Sequence, residues 1–170
     1  MPDRKLNIEN RAKMNSVVRQ FFVDREYLEV ETPRFVRSPD IEPTLSHLET
    51  SVTTLEGRKL DGAMITSPEY ALKKLVSPEI SKVFEIARVF RNGEPLDSLH
   101  SAEFTMLEWY RLGSSFKEGI EETKKFIEYV ANSFEYELKP WRIVTVEELF
   151  REHCGIESLG EPSVELYQGA

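Results

Sequence analysis

The 170-residue chain has a single cysteine, Cys154, so no disulfide can form within it. A lone cysteine fits a reducing compartment and predicts a cytoplasmic protein. No apolar run approaches the length of about 18 residues that a membrane-spanning helix needs, and residues 1–7 lack the apolar segment of a signal peptide. The length suits one domain, and the apolar content of 40% is that of a globular protein.

Glycine-rich phosphate loops and metal-ligand spacings are also missing. The eight glycines are scattered and form neither G-x-G-x-x-G nor G-x-x-x-x-G-K. His47 and His153 have no metal-ligand spacing, and Cys154 beside His153 is not a zinc pattern. The net charge of −8 disfavours binding to nucleic acid by this chain alone. The sequence therefore predicts no metal site in this chain.

Periodicity predicts an α+β domain, an antiparallel sheet with helices on one side. A first helix over 9–26 is predicted from apolar residues at helical spacing, namely Met14, Val17, Val18, Phe21 and Phe22. Strands follow over 27–32, 46–55, 58–60 and 63–66, with turns at Gly57 and Gly62. A second helix is predicted from Ser67 as N-cap, Pro68 as first helical residue and Glu69 in the first turn.

Two capping boxes predict further helices, one beginning with Ser115 and Glu118 and the other with Thr145 and Glu148. The last of these helices is expected to end before Gly155. A strand is predicted over 141–145, and residues 156–170 are expected to form an irregular tail. The inward residues of the helix after Ser115 are expected to be Ile120, Ile127, Val130 and Phe134.

The most informative feature is a predicted hairpin, in which strands over 83–91 and 102–112 flank a polar loop. Side chains alternate along a strand, so the second strand divides into two faces. The carboxylate of Glu108 and the phenol of Tyr110 are expected roughly 6.5 to 7 Å apart along one face, a spacing that suits a pocket wall for a cationic group. Phe104 and Met106 share that face, and Thr105, Leu107, Trp109 and Arg111 lie on the other.

Each polar residue of this region also has an ordinary structural interpretation. Arg91 could grip a phosphate, but spacing alone favours an exposed ion pair. Glu69 alone is most simply a first-turn glutamate whose negative charge stabilises the helix through its dipole. Glu108 lies among apolar neighbours, and burial of an unpaired carboxylate is costly. Either that face of the strand is open to water or Glu108 contacts a cation, and both interpretations make a site plausible.

Phe104 and His100 are by default ordinary core and loop residues. Their functional alternatives are stacking of an aromatic base on Phe104 and hydrogen bonding of His100 to a phosphate. Spacing alone does not favour these alternatives.

Taken together, residues 90–111 resemble motif 2 of class II aminoacyl-tRNA synthetases of the lysyl type, above all in the string EFTMLEWY at 103–110. Residues 30–33, which read VETP, resemble the end of motif 1, and residues 66–75 resemble the amino-acid-binding segment. The resemblance covers about residues 9 to 158. It implies a class II synthetase-like fold and a homodimer formed through the motif 1 helix.

Two branches of this family compete. Lysyl-tRNA synthetases carry an anticodon-binding OB-fold before motif 1, for which this sequence leaves no room. The closer resemblance is to the paralogues that ligate (R)-β-lysine to elongation factor P, and Trp109 also resembles that branch. We therefore expect no anticodon-binding domain and no tRNA partner.

The resemblance implies activation of lysine or β-lysine with ATP and Mg²⁺ as an aminoacyl-adenylate, followed by transfer to a lysine of elongation factor P. Arg91 would be catalytic, holding the α-phosphate. The implied ATP ligands are Arg91, Asn92, Glu94, His100, Ser101 and Phe104. The implied substrate ligands are Ser67, Glu69, Glu108 and Tyr110.

The sequence also departs from the family pattern. Gly93 separates Asn92 from Glu94, which are usually adjacent in the family, and residues 100–104 read HSAEF where the family reads HNPEF. The glycine-rich motif 3 with its arginine does not occur, so 1–170 is expected to be the N-terminal part of a catalytic domain, inactive alone. Two alternatives stay open: an inactive paralogue that serves as a binding module, and a piece of a lysyl-tRNA synthetase.

Overall fold

The computed structural model describes residues 4–95 and 97–156, and the chain divides into two units, Met1–Tyr136 and Glu137–Ala170. The second unit contains one helix, α4 (Val146–Cys154), among its described residues. The first unit contains both helices and strands, which agrees with the predicted α+β class. Its elements are α1 (Arg4–Val23), β1 (Leu28–Glu29), β2 (Phe35–Val36), β3 (Leu48–Thr53), β4 (Lys59–Met64), α2 (Glu69–Leu75), β5 (Lys82–Phe90), β6 (Glu103–Arg111) and α3 (Phe116–Ser133).

The strands form two three-stranded sheets, ordered β1-β5-β6 and β2-β4-β3. The predicted hairpin is confirmed, because β5 and β6 pair antiparallel over their whole lengths, from Lys82 opposite Arg111 to Phe90 opposite Glu103. The prediction of a purely antiparallel sheet is wrong, since β1 pairs with β5 in parallel. Local patterns do not reveal which distant strand will become a neighbour, and this pairing joins residues more than 50 positions apart.

One face of the β5–β6 hairpin packs against helices α1 and α3. Phe22 is fully buried and stacks on Phe84 with ring centroids 4.8 Å apart. Phe126 of α3 lies 5.2 Å from Phe21 and 5.8 Å from Trp109, measured between ring centroids. The buried residues of this cluster are Val18, Phe21, Phe22, Tyr27 and Phe84.

Three of the predicted inward positions on these helices are wrong. Met14 is 38% exposed and Ile120 is 42% exposed, whereas Phe126 and Tyr129 supply the packing from α3. Both aromatic rings offer more apolar area than an isoleucine, so tertiary packing orients the helix toward them. Ile127 also stays exposed.

The opposite face of the hairpin is covered by residues of the second sheet and of the segment that follows it. Ile65, Ala87 and Val89 are buried there, with Phe104 and Met106 packed against them. The predicted alternation along β6 is therefore confirmed, because Phe104 and Met106 lie on one side while Leu107 and Trp109 contact the helices on the other.

The predicted turn at Gly62 is wrong, because β4 runs unbroken through that residue. A Cβ atom at position 62 would lie 2.4 Å from the carbonyl oxygen of Val36 and 2.6 Å from Cζ of Phe35. Glycine is required there by close approach of the β2 strand. The turn at Gly57 is confirmed, with a φ of 81° that glycine adopts without strain.

Both predicted capping boxes are confirmed, at Ser115 with Glu118 and at Thr145 with Glu148. Gly155 follows α4 in the left-handed conformation, as predicted. The strand predicted over 141–145 is wrong, since those residues have no regular structure. Of the predicted tail, residues 157–170 lie outside the described residues. None of the helices in the described ranges has the length and apolar character needed to cross a bilayer.

We expect Phe22→Ala to lower the free energy of unfolding by about 3 to 5 kcal/mol, because it leaves a cavity in the buried aromatic cluster. Urea denaturation measures the change. Val23→Ala is the matched control, since Val23 is the next residue and is 54% exposed, and it should cost less than about 0.5 kcal/mol. Equal losses in the two variants would contradict this description of the core.

Candidate functional site

The carboxylate of Glu108 is the centre of the candidate site. Ser67 donates a hydrogen bond from Oγ to Oε2 of Glu108 at 2.7 Å, and Tyr110 donates from its phenol to Oε1 at 2.7 Å. The expected separation of carboxylate and phenol along the strand is therefore wrong for the side-chain tips. The two side chains lean toward each other and form one hydrogen-bonded pair.

Tyr110 remains a hydrogen-bond donor because its phenol has a raised pKa. Burial, together with the hydrogen bond to Glu108 and the negative charges of Glu108 and Glu69, raises the pKa of Tyr110 well above its ordinary value. The phenol therefore stays protonated at neutral pH and presents Glu108 in a fixed orientation. We call Glu69, Glu108 and Tyr110 the acidic wall.

Helix α2 and the residues before it bring the second carboxylate to the acidic wall. The helix begins at Glu69, one residue later than predicted, with Pro68 as its N-cap. The hydroxyl of Ser67 accepts a hydrogen bond from the backbone N–H of Glu69 at 3.0 Å while it donates to Glu108. Ser67 therefore ties the start of α2 to strand β6.

The sequence analysis missed Lys73, one turn further along α2. Its ammonium group forms an ion pair with Glu69 and lies 5.9 Å from the centroid of the Tyr110 ring. The hydrogen bond to Glu69, with the charges of Glu69 and Glu108, raises the pKa of Lys73. The spacing of four residues from Glu69 was the signal available in the sequence.

A second missed residue is Glu85 on β5, which lies directly opposite Glu108 in the strand register and is 1% exposed. Arg34 pairs with its Oε1 at 2.5 Å. Thr32 donates to the same carboxylate from its backbone N–H at 3.0 Å and from its hydroxyl at 2.8 Å. A glutamate within the otherwise apolar stretch VFEIA was the signal for this buried ion pair.

The sequence analysis also missed a third group of polar residues, which includes Thr66, the residue before Ser67. Thr66 donates its hydroxyl proton to Asp40 at 2.6 Å, and Nε2 of His47 lies 3.1 Å from the other carboxylate oxygen. Burial raises the pKa of Asp40, but the hydrogen bonds from Thr66 and His47 outweigh it and hold that pKa below its ordinary value. These contacts fix the segment that carries Ser67.

A cavity of about 410 Å³ adjoins this segment. Ser67 lines it, whereas Glu69, Glu108 and Tyr110 do not. Most of its exposed lining is apolar, with contributions from Val36, Ile65, Pro68 and Leu75.

At the other end of β6, Arg91 and Phe104 are in contact. The guanidinium carbon of Arg91 lies 5.3 Å from the centroid of the Phe104 ring. Its Nε is buried and finds no hydrogen-bond partner within the described residues. Buried donors without a partner are rare because they cost free energy, so this nitrogen is suited to an anionic ligand oxygen.

The loop after Arg91 explains the extra glycine of the motif. Asn92 donates its backbone N–H to the carbonyl of Ser46 at 2.9 Å, and its side-chain oxygen accepts from Gly93 at 3.0 Å. Gly93 has a φ of 75°, a conformation that favours glycine. Glu94 follows as a half-buried residue. The side chain of Asn92 is thus engaged by the loop itself.

His100 and Ser101 are exposed near the end of the loop. Nδ1 of His100 lies 3.0 Å from both carboxylate oxygens of Asp97. Asp97 also accepts from the backbone N–H groups of Leu99 and His100, and these contacts lower the pKa of Asp97. The loop conformation is therefore held by Asp97, which the sequence analysis did not select.

The two ends of the site share one face of β6. Phe104 and Glu108 are four residues apart, which places them roughly 13 Å apart along the strand. An elongated ligand with an anionic part near Arg91 and a cationic part near Glu108 would match this arrangement. Within the described residues, no group of three or more His, Cys, Asp or Glu side chains could hold a metal ion.

The family model described as tRNA synthetases class II (D, K and N) matches residues 1–163. The chain belongs to this class II synthetase family.

Three individual relatives indicate which branch of the family this chain resembles. The elongation factor P–(R)-β-lysine ligase homolog of Aquifex aeolicus (strain VF5) is 37% identical over 138 residues, which are 81% of this chain and 45% of that protein. The elongation factor P–(R)-β-lysine ligases of Histophilus somni (strain 2336) and of Buchnera aphidicola subsp. Schizaphis graminum (strain Sg) are 33% and 32% identical, over 96% and 95% of this chain and 49% of each relative. The chain spans about half the length of these relatives.

We expect Glu85→Gln to lower the free energy of unfolding by about 3 kcal/mol, because it leaves the charge of Arg34 without its partner in a largely buried position. Chemical denaturation measures the change. Glu103→Gln is the matched control, because Glu103 pairs with Arg88 where both side chains are half exposed, and it should cost less than about 1 kcal/mol. A negligible effect of Glu85→Gln would contradict a structural role for this ion pair.

Proposed function

We propose that this chain supplies the amino-acid-binding and nucleotide-binding residues of an enzyme that activates lysine or β-lysine with ATP and transfers it to a lysine of elongation factor P. The observation that carries the proposal is the carboxylate of Glu108, held by Ser67 and Tyr110 on the same face of β6 as Phe104, over whose ring Arg91 lies. The printed names of the relatives support the choice of substrates. Because the chain spans about half of each relative, the proposal concerns the activity of the whole protein.

The acidic wall would recognise the ammonium groups of the substrate. Within the described residues, no basic side chain forms an ion pair with Glu108, whose two oxygens accept from hydroxyl groups. Its negative charge is therefore available to a cationic ligand. Charge-assisted hydrogen bonds to an ammonium group would select lysine and reject side chains that cannot donate them.

Arg91 would bind the α-phosphate of ATP through the guanidinium group whose Nε has no partner among the described residues. A carboxylate oxygen of lysine would attack the α-phosphorus and expel pyrophosphate, with Arg91 stabilising the negative charge that develops. The ε-amino group of the acceptor lysine would then attack the acyl carbon and release AMP. Positioning and electrostatics, rather than a covalent enzyme intermediate, would provide the rate enhancement.

The remaining ATP ligands are proposed from the family resemblance. Asn92 and Glu94 would approach the adenine, and His100 and Ser101 would lie near the outer phosphates. Phe104 would stack on the adenine ring. Since Arg91 already lies over the Phe104 ring, the base would take the opposite face of that ring.

We expect Glu108→Gln to weaken lysine binding by at least about 1.5 kcal/mol, because it replaces a charge-assisted hydrogen bond with a neutral one. Isothermal titration calorimetry with L-lysine measures the affinity. Glu103→Gln is the control, since that carboxylate is exposed at the start of the same strand, and it should bind lysine as the unaltered chain does. Unchanged affinity in Glu108→Gln would remove the acidic wall from substrate recognition.

A binding module without catalysis is the second candidate function. It predicts the same calorimetric result but no lysine-dependent exchange of pyrophosphate into ATP by the whole protein. Lysine-dependent exchange that is lost on Arg91→Met would favour the enzyme. Aminoacylation of tRNA rather than of elongation factor P would identify a lysyl-tRNA synthetase.

We also propose that the chain forms a homodimer through α1, in keeping with the motif 1 resemblance. Apolar side chains on this helix remain exposed in the single chain, among them Ile8 at 61% and Met14 at 38%. Sedimentation velocity at micromolar concentration should show a dimer, and Ile8→Asp should shift it toward monomer by placing a charge in the interface. A monomer at that concentration would argue against this interface.

A further inference from the structure

Helix α2 carries a cation of its own to the acidic wall. Lys73 follows Glu69 by four residues, so the two side chains lie on the same face of the helix, and their charged groups form an ion pair. The ammonium group of Lys73 also lies 5.9 Å from the centroid of the Tyr110 ring. A substrate ammonium drawn to Glu69 and Glu108 would meet a cation that is already there.

The surroundings of Lys73 show which groups attract it. The hydrogen bond to Glu69 and the charges of Glu69 and Glu108 raise the pKa of Lys73, so the group stays charged at neutral pH. Both carboxylates of the acidic wall therefore act on this one ammonium. Its own charge in turn weakens the field that a ligand cation would experience.

The contact is also easily exchanged. The side chain of Lys73 is 57% exposed and that of Glu69 is 34% exposed. An exposed ion pair between neighbouring turns of a helix contributes little, because water screens the charges and two long side chains lose rotational freedom. A ligand that satisfies Glu69 and Glu108 together can therefore displace Lys73.

We propose that Lys73 is a specificity-determining residue, whose ammonium group occupies the cation position of the acidic wall in the unliganded chain and yields it to the ammonium group of the substrate. Ligands must outcompete this internal cation, so weakly basic or poorly placed amines are rejected. The inference rests on the proposed recognition of lysine by the acidic wall. It adds that Lys73 sets how strongly an amine must bind there to displace the internal cation.

We expect Lys73→Met to bind L-lysine about two- to fivefold more tightly, the range that loss of one exposed competing ion pair gives. Calorimetry compares this variant with Lys73→Arg, which keeps the charge and should retain the original affinity. Lys74→Met is the matched control on the next residue and should change nothing. L-norleucine, which lacks the side-chain ammonium, should gain no affinity from Lys73→Met.

Unchanged or weaker lysine binding by Lys73→Met overturns the inference, as does equal tightening by Lys73→Arg. If lysine binds and Glu108→Gln weakens it while Lys73→Met has no effect, the proposed function stands and only the role of Lys73 falls. If the unaltered chain binds no lysine, both fall. Nitrogen-15 NMR of the Lys73 ammonium gives a direct readout, because its signal should shift on addition of L-lysine and stay unchanged with L-norleucine.

Discussion

The antiparallel register of β5 and β6 is the constraint on which the other features of the first unit depend. It places Phe84 opposite Trp109 and Glu85 opposite Glu108. Because side chains alternate, the aromatic pair faces α1 and α3 while the two carboxylates share the other face. A slip of one residue would bring the carboxylates into the aromatic cluster, where their desolvation would cost several kcal/mol. Burial of the aromatic face therefore also fixes the position of the site.

The two carboxylates that face each other across the strands are satisfied in different ways. Glu85 is buried and neutralised by Arg34, so its charge is used within the fold. Glu108 accepts hydrogen bonds from the hydroxyls of Ser67 and Tyr110, which orient it without cancelling its charge. A carboxylate paired with an arginine and a carboxylate that accepts from hydroxyl groups thus occupy opposite positions in the register of β5 and β6.

Several sequence predictions failed where distant segments meet. Gly62 looked like a turn residue, but it is a glycine because Phe35 and Val36 pack against β4. Ile120 had helical spacing, yet α3 turns its aromatic residues toward Phe21 and Trp109 instead. The local sequence does not contain these contacts, because the partners lie in other elements. The hairpin and both capping boxes were predictable, since their signals lie within a few residues of one another.

The sequence by itself determined the two faces of β6, the caps of α3 and α4, and the resemblance to the class II synthetase family. Each depends on neighbours along the chain or on a short string of residues. Only the tertiary structure decided that Glu85 pairs with Arg34, that Ser67 joins α2 to Glu108, and that Lys73 reaches the acidic wall. The first two are contacts between side chains of separate segments, and the third brings a side chain of α2 to a tyrosine of β6, so packing rather than local periodicity selects these partners.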